Sequence, residues 1–106
     1  MKLRQGNFFI ITQDGIEIVS GWISDDGLFG FHKFNKHSSK STYIWSATDI
    51  RTGRRIVSRG TRKDCVKWIE DNECRIIARW AADDYKEIKE DFERRIANGY
   101  VNKDMA

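Results

Sequence analysis

An α+β fold, with an antiparallel sheet of about five strands followed by two C-terminal helices, is predicted by three features of this 106-residue sequence. Short β-branched and aromatic runs alternate with period two up to Arg59, turn signals separate those runs, and beyond Gly60 apolar residues recur at three- and four-residue spacing. The chain reads as one domain, residues 1–106. Its hydrophobic fraction is 40%, thirteen residues are aromatic, and no proline, Gly/Ser tract or repeat divides it.

The strands are expected within residues 8–59. Residues 8–12 (Phe-Phe-Ile-Ile-Thr) form the first, and Asp14-Gly15 supplies a turn with positive φ. Residues 16–23 return with Ile16, Ile18 and Trp22 on one face and Glu17, Val19 and Ile23 on the other. After Ser24-Asp25-Asp26-Gly27, residues 28–34 form strand three, and the polar segment 35–41 reads as an exposed loop. Strand four covers 42–49, with Tyr43, Trp45 and Ala47 on one side. Following the turn at 50–53, strand five (54–59) places Arg55, Val57 and Arg59 on one face and Ile56 on the other. Apolar residues on both faces of the first three strands call for central positions or for a partner, including a second copy of the chain, over the second face.

The helices are expected at 61–71 and 73–98. Thr61 followed by Asp64 has the spacing of a capping box, with a carboxylate at the positive end of the helix dipole. Cys65, Val66 and Ile69 form the first apolar stripe, and Asp71-Asn72 marks an interruption. Ile76, Ile77, Trp80, Ala81, Tyr85, Ile88, Phe92 and Ile96 form the second stripe, ended by Asn98-Gly99. This long helix is expected to lie across one sheet face.

Charge is segregated along the chain. Ten of nineteen Lys and Arg residues fall between Gly30 and Lys67 against only Asp49 and Asp64, a local formal charge of plus 8 in a chain of net +3. Such a field attracts phosphates or acidic protein surfaces. The candidate contacts are Lys33, Lys36, Lys40, Arg51, Arg54, Arg55, Arg59, Arg62, Lys63 and Lys67, with Arg55 and Arg59 central. Trp68 lies beside rather than within its helix's apolar stripe and is a candidate stacking or anchoring residue, as is Tyr43.

Other chemistries find less support. His32, His37, Cys65 and Cys74 lack the short Cys-x-x-Cys spacing of zinc sites, and no base, orienting group and oxyanion site accompany either cysteine. Asp83, Asp84, Glu87, Glu90 and Asp91 crowd one helix, but Lys86, Arg94 and Arg95 stand at ion-pairing distance along it, as on a solvated face. No metal, cofactor or catalytic residue is therefore expected. The charged residues 1–6 open no signal-length apolar run, and no 18-residue apolar stretch occurs, so a cytoplasmic protein off the membrane is expected.

Trp45, Asp49, Thr52-Gly53-Arg54-Arg55 and Gly60-Thr61-Arg62-Lys63-Asp64 together resemble the three-stranded (AP2-like) DNA-binding domain of phage and transposon integrases. In that family the sheet reads the major groove, which would implicate Arg54, Arg55 and Arg59; Cys65 replaces the usual alanine. The chain also looks like the small accessory proteins of phages and mobile elements. The expected function is non-enzymatic nucleic-acid binding through the basic hairpin and helix start. The alternative is an anti-CRISPR or other anti-defence protein docking on a host protein or nucleoprotein complex.

Overall fold

A computed structural model describes residues 1–33 and 44–99. The expected loop at 35–41, with Lys36, His37 and Lys40, lies outside the described residues, as do Tyr43 and the tail from Tyr100. Five strands, β1 (Leu3–Thr12), β2 (Gly15–Ser24), β3 (Phe29–Lys33), β4 (Trp45–Asp49) and β5 (Arg54–Arg59), precede three helices, α1 (Arg62–Asp71), α2 (Glu73–Trp80) and α3 (Tyr85–Ala97). The sheet is antiparallel in the order β1-β2-β3-β4-β5. No helix among the described residues is long and apolar enough to cross a membrane.

β1 begins at Leu3, five residues before its apolar run, because Arg4, Gln5 and Asn7 are exposed residues of an edge strand and carry no hydrophobic signal. The β1–β2 hairpin is long and curls. β2 registers with β3 only at Trp22–Phe31 and Ile23–Gly30, then diverges. At the point of divergence a Cβ on Gly21 would collide with the Phe31 carbonyl, so only glycine admits so close a backbone. The hairpin's far end returns to the β4–β5 turn, where the Ile11 N–H donates to the Gly53 carbonyl at 2.8 Å.

The curl explains the apolar residues on both sheet faces. One face carries Phe29, Phe31, Ala47 and Val57, covered by Cys65 and Ile69 of α1 and Ile76 of α2. On the other, Phe8, Ile10 and Ile23 cluster, and the Phe8 ring lies over Gly30 and edge-on to His32, 5.9 Å between centroids. Ser46 and Thr48 on this face are buried too. The chain covers its own second face, and burial holds the His32 imidazole below its ordinary pKa.

The capping expectation at Thr61 is met: its Oγ1 accepts from the Asp64 N–H at 3.0 Å. Asn72 separates α1 from α2, and its side-chain amide donates to the Trp68 carbonyl at 2.8 Å. The stripe expected to form one helix over 73–98 is divided at residues 81–84. A continuous helix there would run about 39 Å at 1.5 Å per residue, whereas the longest extent of the molecule is 34 Å. Bending lets Trp80 stack on Phe29 (5.7 Å, 27°) while Phe92 packs above Gly53. Arg79 and Asp84 brace the corner at 2.7 Å, and this pairing lowers the Asp84 pKa.

Asp49 ties these layers together. Its carbonyl accepts from the Thr52 and Gly53 N–H groups, and its carboxylate accepts from the Arg51 N–H (3.1 Å) and the Tyr85 hydroxyl (2.7 Å). Burial, then the hydrogen bond to Asp49, pushes the Tyr85 phenol well above its ordinary range. Removing the hydroxyl in Tyr85→Phe strands a buried carboxylate oxygen and is expected to cost about 1–3 kcal/mol in urea denaturation. A phenol whose pKa is raised by folding stabilises the protein fully below pH of about 10 and progressively less above it. The stability gap between the native chain and Tyr85→Phe is therefore expected to narrow as pH rises past that value; a gap that widens contradicts the assignment.

Candidate anion-binding cleft

A cleft of about 580 Å³ opens where the β4–β5 hairpin meets the helices. Arg54 and Arg55 of β5, Trp68 of α1, Arg75 and Arg79 of α2, and Tyr85 at the start of α3 line it. Arg75 and Arg79 are one helical turn apart and share a face of α2. Ile56 and Ile76 form apolar lining, and Asp49 also contributes, its carboxylate held by Tyr85 and the Arg51 N–H. Arg54, Arg55 and Arg75 are exposed and make no ion pair among the described residues, although Arg54 lies near enough to Asp84 to favour its ionised form. Arg54, Arg55 and Arg75 thus line one cleft together with a half-buried indole.

The cleft differs from the expected basic face. Arg55 registers with Thr48, but Val57 registers with Ala47, so Ile56 is an extra residue and the strand is bulged. Arg59 registers with Trp45. Thr48 and Trp45 lie on opposite faces of β4, so Arg55 and Arg59 do not project together as period-two counting implied. Four residues of strand, about 13 Å, also separate them along β5.

The other cations are distributed rather than gathered. The Arg51 guanidinium lies 4.4 Å over the Trp80 ring and 5.4 Å over Tyr85, wedged behind the cleft. Arg62 caps Trp22 at 4.4 Å. Arg59 is half-buried and donates to the Ser58 carbonyl at 2.6 Å. Lys67 pairs with Asp71 at 2.6 Å, while Lys33 and Lys63 are exposed at the end of β3 and the start of α1. Of the predicted contacts, the fold brings Arg54, Arg55 and Trp68 together; Arg51, Arg59, Arg62, Lys63, Lys67 and Lys33 lie outside the cleft lining.

Arg75 and Arg79 were missed because the segment containing them is acidic overall. Their spacing of four, beside the stripe positions Ile76 and Trp80, was the available signal. The carboxylates of α3 pair along the helix as expected of a solvated face, with Lys86–Glu90 at 4.0 Å and Arg95–Asp91 at 3.9 Å, although Arg94 chooses Asp91 (2.7 Å) over Glu90. Cys65 is buried in the core and Cys74 is exposed. No family model, curated protein or solved structure matches the chain.

Structural and solvent-exposed arginines are separable by stability. Arg51→Ala removes a guanidinium held against two rings and is expected to cost about 1–2 kcal/mol. Arg54→Ala and Arg55→Ala should stay within about 0.5 kcal/mol of the native chain. Urea denaturation of the three variants checks this; equal losses in all three would place Arg54 and Arg55 among the structural residues.

Proposed function

We propose that this protein is a non-enzymatic nucleic-acid-binding protein that uses the arginine-lined cleft as its contact surface. The observation carrying the reading is that Arg54, Arg55 and Arg75, exposed and without ion pairs among the described residues, line one cleft with Trp68. Guanidiniums present forked donors that match phosphate oxygens, and an indole supplies a π face for a base. Groove reading by the sheet, which the integrase resemblance implies, requires the face bearing Ser46 and Thr48; both are buried, which directs the reading to the cleft.

Docking on a protein has one observation in its favour. Ile77 is 53% exposed beside a groove on the other side of α2, which Leu28 and Ile69 line and Asp25, Asp26, Glu70 and Glu73 rim. Its chemistry suits a basic segment with an apolar anchor. Pull-down from a host lysate with and without nuclease separates the readings, since a nuclease-resistant partner favours docking.

Fluorescence anisotropy with labelled duplex DNA, single-stranded DNA and RNA at low salt tests the main reading. Binding to at least one is expected, with log affinity falling linearly in log salt. Each of Arg54→Ala, Arg55→Ala and Arg75→Ala should reduce that slope by about 0.7–0.9. Absence of binding to all three nucleic acids refutes the proposal.

A further inference from the structure

The geometry points to a single-stranded nucleic acid as the ligand of the cleft, with an unpaired base stacked on Trp68 and its flanking phosphates held by Arg54, Arg55 and Arg75. The inference rests on the nucleic-acid reading and narrows it to one class of strand.

Of the indoles that line the cleft, Trp68 and Trp80, only Trp68 is uncovered among the described residues, and Trp45 lies outside the lining. Trp22 is capped by Arg62, and Trp80 carries Phe29 and Arg51 at 5.7 and 4.4 Å. Among the described residues no ring or guanidinium lies over Trp68. The residue is nonetheless held firmly. It packs against the core cluster, and its carbonyl accepts from both the side chain and the N–H of Asn72, at 2.8 and 3.0 Å. A fixed ring in a concave site loses little freedom on stacking, which favours binding.

Shape selects against a duplex. Double-stranded DNA is read by a convex element, a helix or ribbon, that enters a major groove about 12 Å wide. Here the guanidiniums and the indole line a recess instead. Its volume, about 580 Å³, falls within the range of roughly 300–1,000 Å³ that accommodates small ligands. A base enters such a recess only when its face and edge are free of a complementary strand. Arg54 and Arg55 of the strand side and Arg75 of the helix side line the same cleft and are the cations within reach of the backbone flanking that base.

Anisotropy titration of the full chain with a labelled oligothymidylate about 12 nucleotides long, and with a duplex of equal length, tests the inference. Tighter binding of the single strand is expected. Trp68→Ala should weaken it roughly 5- to 150-fold, with most of the affinity returning in Trp68→Phe. Because Trp68→Ala also removes core packing, tryptophan fluorescence of the well-packed Trp68→Phe variant supplies a second readout. Quenching by the oligonucleotide should fall sharply in that variant while binding persists. Equal or tighter duplex binding, or undiminished quenching in Trp68→Phe, overturns the inference while leaving nucleic-acid binding intact. Failure of both ligands to bind removes the underlying reading together with it.

Discussion

The buried carboxylate of Asp49 is the constraint on which the other contacts converge. At the end of β4 it is 5% exposed, a position that disfavours a charged group unless hydrogen bonds replace its water. The Arg51 N–H and the Tyr85 hydroxyl supply that replacement, while the Asp49 carbonyl closes the turn through Thr52 and Gly53. The turn in turn presents the Gly53 carbonyl to Ile11. Gly53 has φ of 70° and no space for a Cβ beneath the Phe92 ring, so one tight turn meets the curled hairpin and α3 at once. Without the carboxylate, the Arg51 N–H in the turn and the Tyr85 hydroxyl at the start of α3 would lose their shared acceptor, while the main-chain bonds of the turn and of β1 depend on it only through the shape of the turn. Charge-assisted bonds of this kind are stronger than neutral ones, so one carboxylate ties the turn to the start of α3.

Much of this architecture was legible in the sequence, and the failures have physical causes. The five strands, the turns at Gly15 and Gly27, the Thr61 cap and the interruption at Asn72 all rest on local chemistry: side-chain alternation, positive φ or a capping hydroxyl. The bulge at Ile56 left no such signal, because an isoleucine suits either a regular or a bulged strand. The break before Tyr85 was masked, since Ala81 and Ala82 are strong helix formers and the apolar spacing runs on without a gap, so Asp83 and Asp84, the latter at the N-cap of α3, read as part of an acidic helix face. Tertiary demands overrode propensity there: Trp80 and Phe92 have to reach different parts of the sheet. Of the site, Arg54, Arg55 and Trp68 were readable as cations and an off-stripe indole, but their company with Arg75 was not, because only the fold brings α2 against the hairpin.

Counting charge along the chain overstated the size of the surface and understated its origin. Several of the central cations serve the fold: Arg51 and Arg62 cover indoles, and Lys67 pairs within its own helix. Arginine suits the first two tasks because its planar, weakly hydrated guanidinium can lie on a ring and keep its stem among apolar groups. The cations left facing the cleft are fewer but come from both the basic and the acidic portions of the sequence. A field of plus 8 spread around a small domain is screened within about 8–10 Å at physiological salt, whereas three arginines that line one recess would act on the same ligand under the proposed function.

The location of that recess follows from the same economy of contacts. It lies where three connections meet: the β4–β5 turn, the junction of α1 and α2, and the corner between α2 and α3. Each connection is held by a specific bond, through Asp49, Asn72, and Arg79 with Asp84 respectively. Helices and strands that pack side by side leave no room for a ligand; where they change direction, their side chains diverge and a concavity remains. Fixing all three changes of direction holds the concavity open, so a ligand of the kind proposed would find Trp68 already packed in place and would order chiefly the exposed arginines.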